Sequence, residues 1–83
     1  MIPLKKLKEG DPFVFPNKPQ TLYYVEGQYP KFHCTTVCKL KNIEQCKDGG
    51  LHATMVTGVD HNQMVAVRRA QRIHICHKVN FIM

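Results

Sequence analysis

The chain has 83 residues and carries twelve Lys/Arg against six Asp/Glu, a net charge of +6 with the histidines neutral. That length makes one domain with one modest core, and 43% apolar residues with 22% charged argue against disorder. No apolar stretch approaches the ~20 residues of a spanning helix. Met1-Ile2-Pro3-Leu4-Lys5-Lys6 is followed by no apolar secretory segment, so the cytoplasm is the expected compartment and a membrane partner is not expected.

Leu4 and Leu7, set among Lys5, Lys6 and Lys8, suit a short turn or edge segment. Gly10-Asp11-Pro12 ends it and launches a first strand over Phe13 to Phe15; Pro16-Asn17-Lys18-Pro19 is turn chemistry. A second strand is predicted from Thr21 to Glu26, with Gly27-Gln28-Tyr29-Pro30 as a loop, and a third from Phe32 to Leu40. Alternation in the third places Phe32, Cys34, Thr36, Cys38 and Leu40 on one face, His33, Thr35, Val37 and Lys39 on the other. Lys47-Asp48-Gly49-Gly50 is the clearest hairpin signal, because glycines supply positive φ without steric cost. A run from Leu51 to Val59 follows, then a turn at Asp60-His61-Asn62. Beyond it Val65, Val67, Ile73, Ile75, Val79 and Phe81 fall on odd positions, and Arg68, Arg72, His74, Lys78 and Asn80 on even ones.

These short strands and tight turns point to an all-β domain spanning 1–83. The preferred form is a five- or six-stranded SH3-like barrel with a short helical turn near residues 66–72. An α+β fold with one short helix over Asn62 to Arg72 is the alternative.

The charge is uneven. Residues 1–60 hold eight Lys/Arg and six Asp/Glu, while residues 61–83 hold Arg68, Arg69, Arg72 and Lys78 with no acid. Such a basic excess attracts RNA or another polyanion. Arg68, Arg69, Arg72 and Lys78, with Lys39 and Lys41, form the expected nucleic-acid surface. Tyr24 is the stacking candidate: Tyr23 and Tyr24 are consecutive and point opposite ways, so one of them can face a base. Tyr29 and Phe32 are further aromatics, with Phe13, Phe15 and Phe32 assigned to the core. Arg and Tyr also anchor protein interfaces, so the rival reading is an inhibitor or adaptor that docks on a host protein.

Four cysteines and five histidines raise the question of zinc: the candidates are His33, Cys34, Cys38, Cys46, His52, His61, His74, Cys76 and His77, with Cys34, Cys38, His74 and Cys76 foremost by spacing. Residues four apart on a strand are ~13 Å from each other, too far for Cys34 and Cys38 to share an ion. His74 and Cys76 share a strand face ~7 Å apart but need two further ligands, and no second clean pair is visible. No cofactor is therefore expected, structural zinc being the alternative, and Cys34 and Cys38 read as small core residues. No phosphate loop, nucleophile elbow or H-E-x-x-H motif is present, so an enzyme is not expected.

The run Leu7-Lys8-Glu9-Gly10-Asp11-Pro12-Phe13-Val14-Phe15-Pro16, followed by Leu22-Tyr23-Tyr24-Val25-Glu26-Gly27, resembles short bacteriophage accessory proteins of the SH3-like barrel type. In those, an L-x-x-G-D-x-F-x-F run opens the first strand and an aromatic Y-x-V run forms the second. The resemblance covers the first third of the chain. It implies a phage or mobile-element protein that binds a host or phage macromolecule, and it supplies no functional residues.

Overall fold

A computed structural model describes residues 1–47 and 49–76. Among these the chain is mostly strand. β1 is Ile2–Pro3, β2 Pro12–Val14, β3 Tyr23–Tyr29, β4 Cys34–Lys39, β5 Ile43–Gln45, β6 Leu51–Ala53, β7 Thr57–Asp60 and β8 Met64–Val67. The helical content is confined to single 3₁₀ turns at Leu4–Lys6, Pro30–Phe32 and Leu40–Asn42. No helix among the described residues is long and apolar enough to cross a membrane.

The main sheet has the order β1-β8-β2-β3-β4-β7 with antiparallel neighbours; β5 and β6 form a separate ribbon. Its principal core joins Leu4, Leu7, Phe13, Tyr23, Val25, Val37 and Val65. A second core lies on the other face of β3 and β4. There the ribbon and residues 73–75 cover Tyr24 and Cys38 with Ile43, Ala53, Ile73 and Ile75. Both faces of the β3–β4 pair are therefore buried at its centre, which explains why Tyr23 and Tyr24 are 8% and 5% exposed although they point opposite ways.

A bulge accounts for the inward residues. Val25 pairs with Val37 and Gly27 with Thr36, so Glu26 is the extra residue of β3. The shift turns Gln28 inward opposite Thr35. Thr35 Oγ1 donates to Gln28 Oε1 at 2.6 Å, and Gln28 Nε2 donates to the carbonyls of Leu4 and Leu7 at 2.8 and 2.9 Å. These bonds fasten the first 3₁₀ turn over the core.

Several expectations need correction. Gly27, Gln28 and Tyr29 continue β3 instead of forming a loop. The inward face of β4 carries Thr35 and Val37, while Phe32 lies before the strand and is 78% exposed. Leu51 to Val59 is not one strand: it divides at Thr54-Met55-Val56, so that β6 serves the ribbon and β7 the main sheet. The helical turn near 66–72 is absent, and so is the alternative helix over Asn62 to Arg72. Ala66 and Val67 pair with Val14 and Phe13. The Arg68 and Ile73 N–H groups donate to the carbonyls of Pro12 and Gly10, so bonding to the β2 segment overrides the local helix propensity. His77, Lys78, Val79, Asn80 and Phe81 lie outside the described residues, as does Asp48 of the hairpin. The hairpin itself is present, with Gln45 opposite Leu51.

Candidate nucleic-acid interface

The end of the principal core opens at Phe15, just past β2. Phe13 and Tyr23 stack with ring centroids 5.7 Å apart, and Phe15 meets Tyr23 edge-on at 4.8 Å. Phe15 is half-buried, packed against the principal core where the chain turns away at Pro16 to Pro19. The turn is closed by the Lys18 N–H donating to the Phe15 carbonyl at 2.9 Å.

Clefts flank this ring. One, of about 380 Å³, runs between Phe15 and Tyr23 on one side and Met55, Thr57 and Val59 on the other, with Val37 and Cys38 also in its lining. Lys39, Lys41 and Asn42 stand on its rim. Lys39 reaches this position because it pairs with Tyr23 across the β3–β4 ladder. Lys41 is carried by the 3₁₀ turn at Leu40–Asn42. The cleft on the other flank of Phe15, about 350 Å³, is lined by Pro16, Asn17, Lys18, Tyr23 and Gln63. A shallow third depression, against Gln20, Thr21, Leu22 and Leu40, shares Lys39 and Lys41. An aromatic floor, amide side chains and three lysines thus converge around one ring.

The arginines lie elsewhere. Arg68 Nη2 donates to the Pro19 carbonyl at 2.7 Å, and Arg72 Nε donates to the Glu9 carbonyl at 2.9 Å while pairing with Asp11 at 3.5 Å. Both are exposed, yet both tie chain segments together. Arg69 is exposed on the same irregular stretch, and Lys78 is outside the described residues. Tyr24 is buried against Cys38 and Ile75 and offers no face to a base, so that assignment is corrected. Among the described residues the exposed Phe and Tyr side chains are instead Phe32 and Tyr29, at the tip of the β3–β4 hairpin beside Lys31. No feature of the sequence separates Phe32 from a core phenylalanine, since its exposure follows from the turn at Pro30 and the left-handed His33.

Of the zinc candidates, Cys34 and Cys38 occupy the outer face of β4, at the hairpin end and beneath the ribbon respectively. Burial pushes the Cys38 thiol up from 9.0 to about 11, with a smaller contribution from the Glu26 carboxylate, which disfavours the thiolate a metal needs. His74 is exposed and Cys76 partly buried. Cys46 Sγ and His52 Nδ1, on the ribbon, are 3.0 Å apart. Among the described residues no three His, Cys, Asp or Glu side chains converge closely enough to hold a metal ion. The described cysteines are all free thiols.

No protein-family model matches this chain, and no curated protein or solved structure matches it significantly.

Proposed function

We propose that this protein is a small basic accessory protein that binds nucleic acid, single-stranded RNA in preference to duplex DNA, of the kind phages and mobile elements encode. The observation that carries the reading is the partly buried Phe15, bordered by two clefts, with Tyr23 against it and Lys18, Lys39 and Lys41 around it. An unpaired base stacks on an aromatic face with ~1–3 kcal/mol per base, and lysines at the rim take the flanking phosphates. Asn17, Asn42 and Gln63 offer hydrogen bonds to base edges. A duplex keeps its bases stacked and presents none to such a cleft. The fold reading that accompanies this is an SH3-like barrel. Its support is the strand order, in which β2, β3, β4 and β7 meander and β8 returns to the free edge of β2.

The test is fluorescence anisotropy of single-stranded RNA oligomers with the full chain over a range of salt. Exchanging Lys39 and Lys41 together for Glu is expected to weaken binding at least tenfold; loss of two phosphate contacts lowers the log–log salt slope by ~1.4. Arg68→Glu with Arg69→Glu is expected to weaken it less. Unchanged affinity in the Lys39/Lys41 variant overturns the assignment of the interface, and no RNA binding by the parent chain overturns the function.

A second reading has its own support. Among the described residues β7 is an edge strand of the main sheet, preceded by Met55 and Val56 at 64% and 46% exposure. An extended segment of a host protein can add to such an edge. A stoichiometric protein partner that survives nuclease, and whose binding is insensitive to salt, would favour this inhibitor or adaptor reading.

A further inference from the structure

The β5–β6 ribbon has one face packed on Tyr24 and Cys38 and another turned away from the main sheet. Its ladder pairs Glu44 with His52 and Gln45 with Leu51. The Cys46 N–H donates to the Gly50 carbonyl at 2.6 Å, which extends the pairing by one step. On the far side of β6, Leu51 bridges Ile75 in parallel, and the Cys76 N–H donates to the Leu51 carbonyl at 2.7 Å. Two rows therefore cross the three segments. One runs Glu44, His52, Cys76, and the other Cys46, Gly50, His74.

Ile43, Ala53 and Ile75 pack against the Tyr24–Cys38 cluster. Strand alternation then places Cys46, His52, His74 and Cys76 together on the opposite face. Cys46 and His52 already touch, at 3.0 Å. Between Cys46 and His74 in this row stands Gly50, which carries no side chain. Cys46 and His74 are two strand spacings apart, on the order of 10 Å, a gap that a thiolate and an imidazole span with an ion between them.

We propose that Cys46, His52, His74 and Cys76 form a binding site for a thiophilic divalent metal ion, with zinc as the chemical fit. Two thiolates and two imidazoles are a structural zinc donor set. The ribbon supplies the second pair that His74 and Cys76 lack in the linear sequence. No three of these donors converge before closure, so binding turns the His74 and Cys76 side chains over Gly50. The ion would fasten residues 74–76 to the ribbon, to which the isolated Leu51–Ile75 bridge joins them among the described residues. Binding releases the thiol protons, so affinity rises with pH.

The test is a cobalt(II) titration of the reduced full chain, read in the visible and near ultraviolet and reversed with zinc. The expected result is a tetrahedral cobalt spectrum with thiolate charge transfer, saturating at one ion per chain and bleached by zinc. Cys46→Ser and Cys76→Ser should each weaken binding by at least the 10–100-fold that loss of an outer-shell partner costs, and Cys34→Ser should leave it unchanged. Absence of a tetrahedral spectrum in the parent chain overturns the proposal, and that measurement depends on no variant folding. A spectrum that survives the double Cys46/Cys76 exchange, or is lost with Cys34→Ser, overturns it as well.

Discussion

Replacing Gly10 with alanine tests how the chain after β8 is held. Gly10 sits at φ +85°, its N–H donates to the Val25 carbonyl at 2.8 Å, and its carbonyl accepts from the Ile73 N–H at 3.1 Å. A Cβ at this position would overlap the Ile73 carbonyl oxygen. Two costs follow. The left-handed backbone costs an L-residue roughly 1–2 kcal/mol. Moving the 72–73 segment away also breaks the Ile73–Gly10 bond and disturbs the Arg72 contacts to Glu9 and Asp11, at about 0.5–1.5 kcal/mol for each bond lost. The total is about 2–5 kcal/mol, a large share of the ~4–12 kcal/mol that a chain of this length holds. Gly49 provides the control: its φ is +89°, but among the described residues nothing lies within 4 Å of a Cβ there. Gly49→Ala should therefore cost only the backbone strain. Urea denaturation of the two variants and the parent measures both. Equal losses at the two glycines, within ~0.5 kcal/mol, would refute the view that the 72–73 segment is packed on the Gly10 turn.

Thr35→Val should destabilise the fold by about 1–3 kcal/mol in the same assay, because it leaves the half-buried amide oxygen of Gln28 without the Thr35 donor. The raised Cys38 thiol makes two outcomes expected. Cys38 should alkylate far more slowly than Cys34 at neutral pH, followed by mass spectrometry of the labelled thiols. In addition, the folded state keeps the proton that the unfolded chain gives up, so this group's contribution to stability is complete below pH 9 and lost as the pH rises toward about 11; Cys38→Ala should flatten that part of the profile. Phe32→Ser should change stability by less than ~0.5 kcal/mol, whereas Phe13→Ala should cost ~3–5 kcal/mol, a contrast that thermal melts will read.

Local punctuation was the part of the fold legible in the residues. Gly10-Asp11-Pro12 opens β2, and the glycines of the 47–50 stretch close a hairpin whose register places Gln45 opposite Leu51. What periodicity could not supply is the consequence of long-range pairing. The bulge at Glu26 changes which side chains of β3 face inward after Val25, and its one local sign, Gly27, does not fix where the extra residue falls. Tyr24 and Cys38 are covered by a ribbon that begins after Lys39, so their burial is invisible to any window around them. Arg68 and Arg72 read as free cations in sequence, yet each reaches a carbonyl 49 or 63 residues away. Lys39 and Lys41 stand out in the sequence as interface lysines and Lys18 does not, and the relation of Lys39 to Phe15 depends on its pairing with Tyr23.

The two proposed sites lie on opposite sides of the β3–β4 pair and share one structural element. The 3₁₀ turn at Leu40–Asn42 carries Lys41 on the cleft rim and leads directly into β5. The Asn42 carbonyl accepts from both the Thr54 N–H at 2.7 Å and the Thr54 hydroxyl at 3.0 Å, which pins this turn to the end of β6. Ordering the ribbon therefore orders the rim. A metal ion that fastens His74 and Cys76 to β6 would restrict the turn before RNA arrives, and a pre-ordered rim lowers the entropic cost of binding. The chemistry of the two sites is otherwise separate. Lys39 and Lys41 exchanges should leave the cobalt spectrum intact, and Cys46→Ser should leave the salt slope of RNA binding intact while weakening the affinity. A change of slope in Cys46→Ser would mean that the ribbon itself contacts phosphate, and the Thr54–Asn42 link would then not be the route by which the two sites communicate.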